Sequence, residues 1–402
     1  MSNRSADPLW RTLFRTAERR NTLIINGVTL GVATGLFANA RHGACVPVAA
    51  WPPDLPAPPV CCIVPMRDEI ANVAGCLAAL CAQQYPHFTV IVVDDGSTDG
   101  TGAELAARRD ARLRVIPGAP LPPGWTGKTW ALAQGCAAAD PAAVWLLTLD
   151  ADMRLAPQAL ASAVAYAEGQ RADLLTLLPA LELHTFWEKL LVPHAGELYT
   201  LLVGAMDRVN AANSPVASAN GQFILLRRTV YDALGGWAAV RGEVAEDWAL
   251  ARRVKRAGYR LLMAQGRAVV RARVYAGLGA LWAGYSKTLF PAGGRSLWRV
   301  AGVILLLTLY GVLPPLRLLW ATVRLVRLAP APAPDRERLV LALAQVGPLL
   351  AVRAVLSRSL GLSPWLAFTY PLAILLGDAM LLWSAWRYRS GRGMTWKGRR
   401  YG

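Results

Sequence analysis

The sequence predicts an α/β fold with a mostly parallel central sheet, followed by C-terminal membrane helices. Three observations carry this. Between residues 60 and 275 short apolar runs alternate with helix-patterned stretches, the mark of βαβ units and a sheet covered by helices. Past residue 296 come three apolar segments of roughly spanning length. Of 402 residues, 54% are hydrophobic and only 17% charged, too apolar for a purely soluble protein of this size.

The elements follow in order. Residues 1–20 are arginine-rich, and Leu9, Trp10, Leu13 and Phe14 sit at helical spacing, which suits an interfacial helix. Residues 21–40 are apolar enough to span but carry two asparagines and several glycines, so a buried or re-entrant helix fits equally. The stretch PPDLPAPP (52–59) reads as an extended linker. Strands are expected at 60–65, 89–93, 113–116 and 144–149, with helices at 70–83, 101–109 and 129–139 between them. The pattern continues, less sharply, through 156–168, 174–178 and 221–226. No internal repeat is visible.

The apolar C-terminal segments are 300–319, 339–356 and 365–386. The first is interrupted by Pro314-Pro315, which predicts a broken, re-entrant hairpin there, with only the last two segments crossing. That topology keeps the basic 321–338 loop and the basic tail on the cytoplasmic side. The domain division expected is 1–59 (interfacial or membrane helix and linker), 60–295 (globular) and 296–402 (membrane segments and tail).

Charge narrows the partners. Lys and Arg outnumber Asp and Glu by 43 to 26. The arginines flank apolar segments without a zinc-finger or RNP-type pattern, so a membrane surface is expected and nucleic acid is not. Six cysteines (45, 61, 62, 76, 81, 136) make no CxxC and no His/Cys ligand spacing, reading as small buried residues in a reducing compartment. No signal-peptide cleavage pattern is seen, so the chemistry is expected to face the cytoplasm, at the inner membrane.

The chemistry-bearing residues sit in loops leaving the carboxyl ends of strands. After the strand 144–149 comes LDAD, in which Asp150 and Asp152, two apart in extended backbone, share one side. Two carboxylates aimed at one point suit a hard divalent cation that also holds a diphosphate. An isolated Asp-x-Asp would read more simply as a solvated turn. PMRDE (65–69) follows the first strand and VVDDGSTDGT (92–101) spans the end of the second. Asp94 and Asp95 lead into a tight turn whose carboxylates can accept from a base N–H or ribose hydroxyls, or simply cap a helix. GWTGKT around Lys128 lacks the glycine a phosphate-binding P-loop needs at 122, which is proline. Lys128 is instead a candidate donor to a diphosphate or sugar. Three such loops from one alternating region build one cleft.

Together these residues resemble the family 2 glycosyltransferases with a GT-A fold, over roughly residues 60–290. By that resemblance Pro65, Arg67, Glu69, Asp94 and Asp95 contact the nucleotide, usually UDP, and Asp150 and Asp152 match the metal-binding DxD, for Mg2+ or Mn2+. Asp68 stands where related enzymes often carry Asn. ANGQF (219–223), with Asn220, Gly221 and Gln222, resembles the acceptor-side segment. RGEVAEDWALARRVKRAGY (241–259) resembles the segment with the acidic pair Glu246 and Asp247, Asp247 being the expected catalytic base. A carboxylate there meets a chemical need, since an acceptor hydroxyl is a poor nucleophile until its proton is removed. Without the resemblance the pair would read as the acidic first turn of a helix over 248–257. Arg271 and Arg273 of RARVY, and GYSKTLF (284–290), could close over the diphosphate or form a basic interfacial rim.

No Q/R-x-x-R-W motif of processive polysaccharide synthases follows Asp247. The order of parts, GLSPW (361–365) and WKGRRY (396–401) look like the hopene-associated and carotenoid glycosyltransferases of bacteria. The resemblance implies an inverting transferase that moves one sugar from a nucleotide-sugar, usually a UDP-sugar, to a polyisoprenoid-type membrane lipid. Asp247 would deprotonate its hydroxyl or bind its carboxyl. A polyprenyl-phosphate sugar synthase and an inactive membrane scaffold are the alternatives. Sugar, acceptor and oligomeric state are not encoded in readable form.

Overall fold

The computed structural model describes residues 17, 19–28, 31, 44–203, 206–273, 275–327, 333–392, 394–396 and 398–401. The interfacial helix expected from Leu9, Trp10, Leu13 and Phe14 lies outside them, as does much of 21–40. The linker 52–59 contains neither helix nor strand.

In chain order, β1 (Val60–Met66), α1 (Ile70–Cys81), β2 (Phe88–Asp94), α2 (Thr101–Ala106), β3 (Leu113–Pro117), α3 (Gly127–Ala137) and β4 (Trp145–Leu149) alternate as the sequence predicts. Next come β5 (Met153–Leu155), α4 (Ala159–Gly169), β6 (Leu174–Leu178), β7 (Ala180–Leu181), α5 (Phe186–Val203) and α6 (Met206–Asn210). Then follow β8 (Phe223–Arg227), α7 (Arg228–Ala233), α8 (Glu246–Arg256), β9 (Leu261–Gln265), β10 (Val270–Ala272) and α9 (Gly277–Ala292). The C-terminal part holds α10 (Leu297–Leu307), α11 (Leu313–Arg327), α12 (Ala333–Ser359) and α13 (Tyr370–Arg389), then β11 (Met394–Trp396) and β12 (Arg399–Tyr401). Two compact units result, and neither is contiguous in sequence. One joins His42–His184, Val203–Arg295 and Ser384–Gly402; the other joins Met1–Arg41, Thr185–Leu202 and Ser296–Trp383.

The first unit is built on a seven-stranded sheet in the order β3-β2-β1-β4-β8-β6-β9. β1 pairs in parallel with β2 and β4, β2 with β3, and β6 with β9. β8 alone runs against its neighbours β4 and β6, so the sheet is mostly but not wholly parallel. Successive side chains of a strand point to opposite faces, and β1 shows it. Val60, Cys62, Val64 and Met66 enter one apolar cluster, while Cys61 and Ile63 enter the other. Covering helices fill both faces, as a parallel sheet requires. Four cysteines (61, 62, 76, 136) are buried as expected, Cys81 is half-buried, and Cys45 is exposed, a correction to the uniform reading. β5, β10 and β7 form a small second sheet behind the Asp150–Asp152 loop.

The second unit is apolar. Among the described residues three helices are long and apolar enough to cross a membrane: Leu297–Arg327, Asp335–Arg358 and Pro364–Arg389, with mean hydropathies of 1.8, 2.0 and 1.6 over an 18-residue stretch of each. The first corrects the expected hairpin. It continues through Pro314-Pro315 because the prolines fall in the first turn of α11, just past a π-turn at Thr308–Val312. A widened turn re-registers the backbone bonds, so the missing proline N–H groups cost little. Gly311 in that turn lets α13 approach: a Cβ there would meet Ile374 Cδ1 at 2.1 Å. Large side chains such as Leu305, Leu319, Trp320, Val340, Leu375 and Trp383 face outward.

That unit also buries an ion pair between Arg353 of α12 and Glu197 of α5. Tyr370 Oη donates to Glu197 Oε2 at 3.3 Å, and His194 Nδ1 lies 3.3 Å from the same oxygen. The Arg353 guanidinium stacks 3.5 Å from the centre of the Tyr370 ring. Charge in so apolar a setting persists only when paired in this way.

Candidate active site

The site grows from the carboxyl ends of β1, β2 and β4, three adjacent parallel strands. The loops after β1 and β2 are laced together. Asp95 N–H donates to Met66 O at 2.8 Å, Glu69 N–H to Thr101 Oγ1 at 2.8 Å, and Ile70 N–H to Asp99 Oδ2 at 3.0 Å. The Arg67 guanidinium donates to Asp95 O, and Ser97 N–H donates to Asp94 Oδ1 at 3.0 Å. Asp68 has φ +50°, the left-handed region where Asp and Asn are tolerated best. Asp and Asn are therefore both compatible with this position. Its Oδ1 accepts from Thr98 N–H at 2.8 Å. Pro65, Arg67, Glu69, Asp94 and Asp95 are thus gathered in two interlocked loops.

Thr126 caps α3 by accepting from Thr129 N–H, which fixes Lys128 in the first turn. Lys128 Nζ lies 2.7 Å from Asp150 Oδ1, 3.0 Å from Glu246 Oε1 and 3.4 Å from Gly221 O. Burial works against the ammonium, but Asp150, Glu246 and Asp247 overcome it and hold its pKa well above the ordinary value. The sequence makes this lysine a candidate donor to a diphosphate or sugar; within the protein its partners are Asp150, Glu246 and the Gly221 carbonyl.

Asp247 is held by two backbone donors, Gly221 N–H to Oδ2 and Trp248 N–H to Oδ1, both at 2.8 Å. Glu246 and Asp247 do form the first turn of α8, so their helix-dipole role and their convergence on the cleft coexist. Gln222 Nε2 lies 3.4 Å from each oxygen of Asp152, and Asn220 braces the turn through Thr176 and Leu177. Asn220, Gly221 and Gln222 therefore tie the β4 acids to the α8 acids. Gly221 permits the approach, since a Cβ would come within 3.1 Å of both Asp247 Oδ2 and Lys128 Nζ.

Burial first, then neighbouring acids, push two carboxyls up to about 7: Asp152, beside Asp150 and Glu69, and Asp247, beside Glu246. Such shifts mark sites where charge is held ready for a ligand or a proton. Among the described residues no group of three or more His, Cys, Asp or Glu is spaced to hold a metal alone. Asp150 and Asp152 do fit a hard cation whose remaining oxygens come from a phosphate ligand, the usual arrangement for Mg2+.

Arg271 lies exposed on β10 and Arg273 exposed just beyond it. The sequence reading overlooked Lys287 of α9. Burial lowers its pKa, and it interacts electrostatically with Glu246, Lys128, Asp150 and Asp247. Its signal was present in GYSKTLF, where the segment stood out and the lysine did not.

A fold with this sheet and acids on its strand ends is of the GT-A type. Across 93% of this chain it superposes on 99% of a mannosyltransferase from Pyrobaculum calidifontis in complex with GDP-Man and Mn2+, with a TM-score of 0.54 and 18% identity. Residues 58–287 match the glycosyltransferase like family 2, and the chain belongs to that family. A beta-monoglucosyldiacylglycerol synthase from Synechocystis is 29% identical over 189 residues, covering 46% of this chain. The matched part spans 38% of that relative's length.

Proposed function

We propose that the protein is an inverting, metal-dependent glycosyltransferase that moves one sugar from a nucleotide-sugar, in the first instance a UDP-sugar, to a membrane lipid. The observation that carries this is the convergence of Asp150, Glu246 and Asp247 around Lys128, with Asp152 adjoining. Pro65, Arg67, Glu69, Asp94 and Asp95 receive the nucleotide. Asp150 and Asp152 hold a divalent ion, which when bound neutralises charge building on the departing diphosphate. Asp247 takes the proton of the acceptor hydroxyl as its oxygen bonds to the anomeric carbon. The bond from that carbon to the phosphate oxygen breaks, and the nucleotide leaves with the electron pair. Asn220, Gly221 and Gln222 border the acceptor side, and Arg271 and Arg273 serve as a basic rim.

Residues 60–295 act as the catalytic domain, on the cytoplasmic face of the inner membrane. The chain leaves the α/β unit after Arg295 and rejoins it at Ser384. There Phe290 N–H donates to Ser384 Oγ at 3.2 Å and Tyr388 Oη to Lys287 O at 3.1 Å. Both ends of the apolar stretch thus lie on one side of a bilayer, so the number of crossings is even. The last two helices cross, while Leu297–Arg327 lies along the surface. Cytoplasmic placement keeps Arg324, Arg327, Arg336 and Arg338 on the side where basic residues collect.

The acceptor is a polyisoprenoid of hopanoid or carotenoid type. The likeness to a synthase named for a glucosyl diacylglycerol favours a second reading, a glycerolipid acceptor. Membranes carrying the protein, given radiolabelled UDP-glucose and each lipid class in turn, should label one class only. Asp152→Ala should abolish the labelling while expression holds. Label in a mild-acid-labile polyprenyl phosphate would reject the proposed acceptor, and undiminished labelling by Asp152→Ala would reject the proposed site.

A further inference from the structure

Lys128 occupies a position that a divalent ion must contest. Its ammonium is 2.7 Å from Asp150 Oδ1, while a second contact at 3.0 Å ties it to Glu246 and a third, at 3.4 Å, to Gly221 O. An ammonium has three donors, and all three are engaged. The side chains of Lys128 and Asp150 retain 31% and 30% of their exposure, so an ion from solution can reach the pair. It meets there a carboxylate already neutralised and a like charge within a few ångströms, in a half-buried setting that screens repulsion poorly.

The second observation is the donor set. The protein offers Asp150 and Asp152, and among the described residues no third His, Cys, Asp or Glu completes a chelate. Two carboxylates leave a divalent ion short of its six oxygens. A diphosphate remedies both deficits at once, supplying oxygens to the ion and a negative partner to the lysine. Glu246 retains Lys128 in the cleft when Asp150 is released.

We propose that Lys128 competes with the divalent ion for Asp150, so that the metal loads with the nucleotide diphosphate and not ahead of it. The inference rests on the transferase reading above. It makes the lysine a positioning residue whose removal tightens metal binding while impairing transfer, opposite in sign to the effect of simple damage to the site.

The test is Mn2+ binding to the detergent-solubilised full chain, read from the free-ion electron paramagnetic resonance signal with and without saturating UDP. Wild-type protein should gain roughly tenfold in Mn2+ affinity when UDP is present, and UDP should gain equally from Mn2+. Lys128→Gln should bind Mn2+ roughly tenfold tighter than wild type without UDP, with a smaller gain on adding it. Lys128→Arg, which keeps the charge, should retain the wild-type dependence on UDP. Equal Mn2+ affinity of wild type and Lys128→Gln without UDP would overturn the proposal, as would wild-type affinity indifferent to UDP. Should Lys128→Gln not fold, the wild-type pair of measurements and Lys128→Arg still decide. Absence of Mn2+ binding in wild type even with UDP or GDP would defeat the transferase reading too, which separates the two failures.

Discussion

Asp247 is an acid whose surroundings set the pH at which it can act. Burial and Glu246 raise its pKa from 3.8 to about 7, so the base form predominates only above that value. Transfer should therefore climb with pH through about 7, and a pH–rate profile checks it. Asp247→Asn should lower kcat by roughly 100-fold or more, in line with the loss of a general base; an unchanged rate would remove Asp247 from the mechanism. Stability runs the other way. Between pH 4 and 7 the folded protein keeps protons on Asp152 and Asp247 that the unfolded chain has lost, so their contribution fades as pH rises through that window. Without metal, Asp152→Asn should raise the melting temperature at pH 8 and leave it nearly unchanged at pH 4, as a thermal scan would show. The single acids were legible because each follows an apolar strand or fits a motif. The partnership of Lys128 with Glu246 was not, because nothing local relates a helix start to another helix start far along the chain. Gln222 was assigned to the acceptor by resemblance alone, and its approach to Asp152 depends on β8 lying beside β4.

Elements were read best where packing and local pattern agree. β1, β2 and β4 are apolar runs buried on both faces, and their boundaries moved by a residue or two. The reversed direction of β8 left no trace, since a buried run has the same composition in either direction. The three-residue strands β5 and β10 are too short for periodicity to register. Pro314-Pro315 reads locally as a helix break, and the π-turn at Thr308–Val312 that absorbs it has no local signature in the sequence. Close helix–sheet packing offers a test of the core. Gly135 in α3 faces Ile63, and a Cβ would stand 2.3 Å from Ile63 Cγ2. Gly135→Ala should destabilise by about 1–3 kcal/mol despite alanine's better helix propensity, which chemical denaturation would measure. In the apolar unit, Arg353→Ala should cost about 3–5 kcal/mol by leaving Glu197 buried and unpaired. Arg353→Met with Glu197→Gln should recover much of that loss in a thermal-shift assay.

At the scale of the molecule, both ends of the stretch 296–383 are tethered to the α/β unit, so topology and catalysis are linked by one constraint. Reporter fusions within residues 328–332 and at the C-terminus should both report the cytoplasmic side; a report from the far side by either one would contradict the proposed crossings. Composition foretold the membrane helices, and alternation foretold the sheet. The assembly of two units from interleaved segments lay beyond the sequence, because α5 is no more apolar to the eye than the helices around it. The central claim is that Asp150 and Asp152 hold a divalent ion against a nucleotide diphosphate. The most direct measurement is electron–nuclear double resonance of Mn2+ with UDP on the full chain, read for coupling to phosphorus. The account predicts a phosphorus coupling in wild type that disappears in the Asp150→Ala, Asp152→Ala double variant; the same coupling in both proteins would contradict it.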